Sequence, residues 1–218
     1  MLKAQIVPVT AFAQNCSILW CDETMEGALV DPGGDVDIIL DKIAKLGVTP
    51  KKILLTHGHM DHAGGAAQIK EVFDLPIIGP HRDDKFWLDD IETHARQYGI
   101  PGLRTCTPDQ WLEDGDSVSF GNVTLQVHHC PGHTPGHVIF FDPRHKVAFV
   151  GDVLFKGSVG RTDFPKGDQQ QLIGSITGKL WPLGPDVTFV PGHGPLSTFG
   201  AERESNPYVA DKVLSGAA

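Results

Sequence analysis

The residues best suited to chemistry lie in one short segment, 56–62, which reads Thr-His-Gly-His-Met-Asp-His. It places three imidazoles and one carboxylate close together, at His57, His59, Asp61 and His62. Imidazole nitrogens and carboxylate oxygens together suit zinc, iron or manganese. A solvated polar loop is the alternative interpretation, and the density of ligand types favours a metal site.

The spacing within this segment differs from that of a helical HExxH zinc site, where two histidines four residues apart share one helix face. His57 and His59 are two residues apart, so they share a face only in an extended segment. Asp61 and His62 are adjacent and must point in different directions. One loop could therefore supply two neighbouring metals.

Three further candidate ligands each stand just past an apolar run that reads as a strand: His133, Asp152 and His193. Open sheets commonly bind ligands in the loops at strand ends. We therefore predict a two-metal site at one rim of the fold. Its ligands form two sets joined by a bridge: His57, His59 and His133 for the first metal, Asp61, His62 and His193 for the second, and Asp152 between them.

Other polar residues allow two interpretations each. Asp31 and His137 lie in turn-like segments, and could either hydrogen-bond the ligand imidazoles or serve the turns. Arg161, in a glycine-flanked loop, is a candidate clamp for a substrate carboxylate or a plain surface arginine. For the aromatic residues Phe86, Trp87 and Trp111, core packing is favoured over a place in an acyl or peptide pocket.

The first half of the chain predicts strands at 6–10, 16–20, 28–30, 53–55 and 77–78. Apolar residues over 36–46 recur with helical spacing. Asp35 could cap that helix at its start and Gly47 at its end. A second helix is predicted over 66–73. Segment 81–115 predicts an irregular or helical excursion over the core.

The second half returns to strand patterns. Residues 118–120 and 123–127 flank Gly121-Asn122, which is typical of a hairpin. A second hairpin is predicted over 138–150, then a helix near 169–180 and a last strand at 187–190, which closes the pattern. The order favours an α+β or α/β architecture, a four-layer αββα sandwich of two sheets between helices. We expect one domain over 1–218.

Composition narrows the function. The 27 acidic and 18 basic residues give a net charge of −9, which argues against a nucleic-acid or membrane partner. The four cysteines show no CxxC spacing and are expected to be reduced. No leader or apolar span is apparent, so we expect a cytoplasmic protein, and we predict a monomer.

These motifs resemble the metallo-β-lactamase superfamily over nearly the whole chain, and this resemblance implies the αββα fold. The family's HxHxDH motif, later histidine, later aspartate and last histidine match residues 57–62, His133, Asp152 and His193. Gly151-Asp152 followed by 157–161 resembles the glyoxalase II branch in its compact bacterial form. This implies hydrolysis of S-D-lactoylglutathione, an anionic thioester, to D-lactate and glutathione.

The chain also departs from the larger glyoxalase II enzymes. Their C-terminal helical extension, which supplies basic residues for glutathione, is expected to be missing, because only about 25 residues follow His193. Their tyrosine two residues after the last ligand is replaced by Pro195. Where those enzymes have an aromatic residue in the basic loop, this chain has Asp163, whereas Arg161 retains their basic residue. The thioesterase chemistry therefore carries over better than the glutathione specificity.

The expected mechanism uses two divalent metals, zinc by preference with iron or manganese as alternatives. A metal-bridging water would become hydroxide near neutral pH and would attack the thioester carbonyl. Asp61 and Asp152 are the expected catalytic carboxylates, and Asp61 could orient the hydroxide. The thiolate is a good leaving group and needs no dedicated acid.

Three alternatives stay open. One is a mononuclear-iron persulfide dioxygenase of the same superfamily, which would use His57, His133 and Asp152. Another is a lactonase or a nuclease of this fold, and the net charge of −9 disfavours the nuclease. The third is a metal-binding protein without turnover.

Overall fold

The computed structural model describes residues 1–216, and its first β-sheet lies in the N-terminal half. The strands are β1 Leu2–Val9, β2 Gln14–Cys21, β3 Glu26–Val30, β4 Thr49–Leu54 and β5 Ile77–Ile78. They lie in chain order across the sheet, with β1 at the edge, where the predicted strand containing Pro8 belongs. β1 to β3 pair antiparallel, whereas β3, β4 and β5 pair parallel.

The second sheet contains six strands from the C-terminal half. They are β6 Ser117–Phe120, β7 Val123–His129, β8 Val138–Asp142, β9 Val147–Gly151, β12 Thr188–Pro191 and β13 Ser197–Thr198. Their order is β13-β12-β9-β8-β7-β6, and β12 runs parallel to β9. Gly121, at φ +51°, begins the predicted two-residue turn between β6 and β7. A small separate hairpin joins β10 Leu154–Phe155 to β11 Ser158–Val159.

Eight α-helices surround the sheets within the described residues. They are α1 Val36–Leu46, α2 Met60–Ala63, α3 Ala66–Phe73, α4 Lys85–Asp89, α5 Ile91–Gln97, α6 Gln169–Ser175, α7 Phe199–Ser205 and α8 Asp211–Leu214. A π-helical turn, Ile176–Leu180, and a 3₁₀ turn, Trp181–Leu183, extend α6. A 3₁₀ turn, Arg82–Asp84, precedes α4. Within residues 1–216, no helix has the length and apolarity that crossing a membrane requires.

Three apolar clusters build the predicted αββα layers. Ile39 of α1 and Ile69 of α3 are buried against the outer face of the first sheet. Leu172 of α6 is buried against the outer face of the second. Between the sheets, Leu54 of β4 and Phe140 of β8 belong to one cluster, so the two sheets share a core. The predicted sandwich is therefore confirmed.

Most predicted elements are present, and two details differ. Asp35 does not cap α1, because its backbone is left-handed and its carboxylate accepts a hydrogen bond from Thr10 N at 2.6 Å. Gly47 does end α1, at φ +66°. The strand predicted near 190 is not the last element, since β13, α7 and α8 follow it. Segment 81–115 contains α4 and α5 within irregular structure, as predicted.

Replacing Phe140 by alanine tests the shared core. Phe140 is fully buried, so Phe140→Ala should lower the free energy of unfolding by about 3–5 kcal/mol through the cavity it leaves. Urea denaturation followed by tryptophan fluorescence measures this loss. The exposed Val72 of α3 provides the control, because Val72→Ala should change stability by less than about 0.5 kcal/mol. Equal effects of the two substitutions would contradict the assignment of Phe140 to the core.

Candidate metal centre

The loops that follow four strands converge at one rim of the sandwich. The segment after β4 carries His57, His59, Asp61 and His62, and α2 begins within it at Met60. The loops after β7, β9 and β12 carry the other candidates: His133, Asp152 and His193. Every candidate ligand predicted from the sequence therefore lies in this one region.

The first ligand set brings together three imidazoles. Nδ1 of His59 lies 3.1 Å from Nε2 of His57 and 3.0 Å from Nε2 of His133. The other ring nitrogen of His133 donates to the carbonyl of Arg161 at 2.7 Å, and that of His57 contacts Thr56 Oγ1 at 3.0 Å. Lone pairs on the facing nitrogens therefore point at one another, an arrangement that a cation stabilises. This donor set fits a metal ion.

The second ligand set combines carboxylates and imidazoles. Nε2 of His193 lies 3.2 Å from Oδ2 of Asp61 and 3.4 Å from Nε2 of His62. The ring of His193 is fixed from behind, since its Nδ1 donates to the carbonyl of Phe12 at 3.1 Å. Three groups whose donor atoms lie within 4.8 Å of one another can hold one ion. This set fits a second metal ion as well.

Asp152 lies between the two sets. Its Oδ1 is 3.3 Å from Nε2 of His62, and its Oδ2 is 3.6 Å from Nε2 of His133. The backbone must pass very close here, because a Cβ atom at Gly192 would lie 2.1 Å from Oδ1 of Asp152. Asp152 therefore contacts one histidine of each set.

Asp31 and His137, for which the sequence left two roles open, both contact the site. Asp31 accepts hydrogen bonds from Thr56 N at 2.7 Å, from Thr56 Oγ1 at 2.5 Å and from His62 Nδ1 at 2.8 Å. His137 stacks on His57, and its Nε2 accepts from Asp152 N at 3.0 Å. Because Asp31 holds Nδ1–H of His62, Nε2 of that ring is left to face the second set.

Burial and neighbouring charges set the protonation of these groups. Burial, with help from His133, lowers the pKa of His59 to about 3, so the ring is neutral and able to bind a metal at pH 7. Burial alone would raise the pKa of Asp152, yet the adjacent His62 holds it well below its usual range. Without a bound cation, His62 and Asp152 would form an ion pair. Metal binding would then release a proton.

A cavity of about 660 Å³ opens above the ligands, which lie at its floor. Its walls are largely apolar and come from segments distant in sequence: Phe12, Trp87, Tyr98, Phe155, Phe164 and Pro195. Trp87 is buried, and its ring contacts His59 at a centroid distance of 4.4 Å. Trp87 therefore packs in the core, as predicted, and also lines the cavity wall. Phe86 lies beneath Lys166 and does not line the cavity.

The cavity wall contains one arginine, Arg161, and one lysine, Lys156. Arg161 is paired with Asp163 through two hydrogen bonds, at 2.7 and 2.9 Å, and lies over the ring of Phe164. Lys156 has no acidic partner within residues 1–216. A substrate carboxylate would therefore meet one free cation and one that Asp163 already holds.

Several residues that the sequence did not single out position the second set. Asn15 donates through its side-chain amide to the carbonyls of Pro191 and Gly194, at 3.0 and 2.9 Å. The backbone N–H of Asn15 also donates to Gly192 O at 2.7 Å. Asn15, near the start of β2, and Phe12, in the turn between β1 and β2, thus hold the loop that carries His193. No sequence motif pointed to Asn15, because its partners are backbone atoms.

Fold and site together define a known class of protein. Residues 9–193 match the model of the Metallo-beta-lactamase superfamily, so the chain belongs to this superfamily, whose members bind divalent metals.

Comparison with individual proteins narrows the class. The chain is 43% identical to hydroxyacylglutathione hydrolase GloC of Haemophilus influenzae, over 97% of this chain and 100% of that protein. It also resembles the crystal structure of BLEG-1 B3 metallo-beta-lactamase, with a TM-score of 0.87, 36% identity, and coverage of 96% of this chain and 99% of that one. A third similar protein is TTHA1623 in a di-iron-bound form, with a TM-score of 0.85, 37% identity, and coverage of 94% and 99%.

Removing the Asp31 carboxylate should weaken metal binding. Asp31→Ala leaves Nδ1–H of His62 without its acceptor, so affinity for a divalent metal in the second set should fall about 10- to 100-fold. Competition with a chromophoric chelator measures this affinity. Asp142 gives a matched control, because it is also buried and accepts from a histidine, His145, at 2.7 Å. If Asp31→Ala and Asp142→Ala bind metal alike, Asp31 has no role at the site.

Proposed function

We propose that this chain is a metal-dependent thioester hydrolase that converts S-D-lactoylglutathione to D-lactate and glutathione. One observation carries the proposal: two adjacent clusters of histidine and aspartate side chains, with Asp152 between them, lie at the floor of a substrate-sized cavity. The similarity to GloC, a hydroxyacylglutathione hydrolase, over the full length of that protein supports the same substrate class. We further propose that residues 1–218 form a single domain of the superfamily.

The metal ligands in this proposal are those grouped above: His57, His59 and His133 in the first set, Asp61, His62 and His193 in the second, and Asp152 as the bridge. Two divalent ions, zinc by preference and iron or manganese as alternatives, suit this donor chemistry. The di-iron form of TTHA1623 keeps iron among the candidates. When bound, the ions would polarise the thioester carbonyl and make water nucleophilic at neutral pH.

The protein residues would supply orientation and a dry site. Asp61 would accept a hydrogen bond from the attacking water and aim it at the carbonyl carbon. Asp31 and His137 would hold His62 and Asp152 in their ligating orientations through the hydrogen bonds described. The apolar wall would exclude other water, and Arg161 would bind a carboxylate of the substrate. A cytoplasmic location, a monomeric state, and the absence of nucleic-acid and membrane partners remain predictions from the sequence.

Metal analysis combined with parallel assays tests this function. Purified protein should contain two metals per chain and hydrolyse S-D-lactoylglutathione faster than a lactone or a β-lactam. The β-lactam belongs in the comparison because a similar protein is named a β-lactamase. One iron per chain with O₂ uptake on a persulfide substrate would instead identify a dioxygenase. Inactivity on every substrate would indicate a metal-binding protein without turnover.

Removing a ligand should abolish turnover while sparing the fold. His59→Ala and Asp152→Ala should each lower kcat/KM by more than about 100-fold, because even residues behind the ligands cost about 10- to 100-fold when lost. Assays with S-D-lactoylglutathione measure activity, metal analysis measures occupancy, and circular dichroism checks the fold. His145→Ala is the control, since His145 pairs with Asp142 away from both ligand sets. Near-normal activity in either ligand variant would refute the mechanism.

Arg161→Ala tests the carboxylate clamp. Removing a charge-assisted hydrogen bond should raise KM about 10-fold and leave kcat little changed, because the interaction lies away from the reacting carbonyl. Steady-state kinetics with S-D-lactoylglutathione separate the two parameters. Lys166→Ala is the comparison, since Lys166 lies over Phe86 outside the cavity wall. An unchanged KM in Arg161→Ala would assign Arg161 to the surface.

A further inference from the structure

Asp84 is a buried carboxylate in the irregular segment between β5 and β6, and it accepts three hydrogen bonds. Its Oδ2 accepts from Gly58 N at 2.9 Å and from Thr134 Oγ1 at 2.7 Å. Its Oδ1 accepts from Gly136 N at 2.5 Å. One side chain from the excursion over the core therefore joins two loops that belong to different sheets.

The donors are adjacent in sequence to the first ligand set. Gly58 lies between His57 and His59, and Thr134 directly follows His133. Asp84 is thus hydrogen-bonded next to each imidazole of the first set without contacting any of those rings. No residue next to a ligand of the second set donates a hydrogen bond to Asp84. The histidines of that set are held instead by Asp31, which accepts from His62, and by the turn between β1 and β2, where Phe12 accepts from His193.

The backbone around Asp84 is packed so closely that the loops have little freedom to move apart. A Cβ atom at Gly136 would lie 2.5 Å from Asp84 N, and one at Gly58 would lie 2.9 Å from Asp84 O. His81 N also donates to Gly136 O at 3.0 Å. The loop of His133 is therefore held by backbone as well as side-chain hydrogen bonds, whereas the loop of His57 and His59 is held by the Asp84 side chain.

The charge of Asp84 is also unusual for a group that only fills space. No lysine, arginine or histidine pairs with it within the part of the chain that the structure describes, and burial raises its pKa to about 6. A buried carboxylate without a cation opposes folding unless hydrogen bonds compensate. Here all three compensating bonds come from the two ligand-bearing loops.

We propose that Asp84 is a positioning residue that fixes the loop of His57 and His59 relative to the loop of His133, and thereby sets metal affinity in the first ligand set. This inference rests on the proposed two-metal site. It predicts a selective effect, because removing the carboxylate releases the loops around the first set and leaves the contacts of the second set in place.

Asp84→Asn, measured in two backgrounds, tests this selectivity. Asparagine keeps the shape but places an amide N–H₂ group against a donor, so one of the three bonds at least is lost. In a His193→Ala background, which cripples the second set, Asp84→Asn should weaken Zn²⁺ binding about 10- to 100-fold. In a His59→Ala background, which cripples the first set, Zn²⁺ affinity should stay within about twofold. Chelator competition with zinc alone gives both affinities without an activity assay.

Glu202→Gln is the matched control. Glu202 is also buried and also accepts three hydrogen bonds, from Gly157 N, Ser197 Oγ and Asn206 Nδ2, but none of these residues adjoins a ligand of the first set. The Glu202→Gln substitution should lower the free energy of unfolding without changing Zn²⁺ affinity in either background. Equal weakening in both backgrounds, or none in the His193→Ala background, would overturn the role of Asp84.

Thr134 gives a second test if Asp84→Asn does not fold. Thr134→Val removes one donor and should weaken only the first set, whereas Thr134→Ser keeps the hydroxyl and should restore affinity. Failure of serine to restore it would overturn the proposal. If the unmodified protein binds two zinc ions while these variants bind equally well, the positioning role fails and the proposed function stands. If the unmodified protein binds no zinc, the positioning role and the proposed function both fail.

Discussion

The packing of the two β-sheets against each other is the contact on which the metal centre depends. Each ligand set takes residues from both sheets: His57 and His59 follow β4 of the first sheet, whereas His133 follows β7 of the second. A backbone hydrogen bond from Val138 N to Thr56 O, at 2.8 Å, ties the sheets together beside the ligands. Because close-packed interiors resist small displacements, the shared core keeps nitrogens from separate sheets about 3 Å apart.

At the site itself, the two nitrogens of a ligand imidazole serve different purposes. In the first set, the ring nitrogens that face the centre are neutral, because burial lowers the pKa of His57 and His59. On two of the rings, the nitrogen that faces away is used for orientation, by Asp31 behind His62 and by the carbonyl of Arg161 behind His133. The rings therefore reach their positions through hydrogen bonds that do not compete with a metal.

The sequence predicted the parts whose signal is a side-chain type or a regular period. Helix α1 spans three turns, enough to show its apolar face, and the ligands are conspicuous as histidines and aspartates after apolar runs. The roles of Asp84 and Asn15 could not be predicted, because their partners are mainly backbone amides and carbonyls, which nearly every residue type possesses. Helices of four to seven residues such as α4 and α7 are too short to show a period. Trp87 was correctly placed in the core, but only the fold shows that its ring also reaches the cavity.

The residues that hold the loop of His193 come from the opposite end of the chain. Asn15, near the start of the chain, donates to Gly194 O, near its end, and His193 itself donates to Phe12 O. A nascent chain therefore carries the first ligand set, complete at His133, for some sixty residues before the second can exist. All three histidines of the first set are present once His133 has been made, whereas the second set joins residues from both ends of the chain and can form only after His193 has been added.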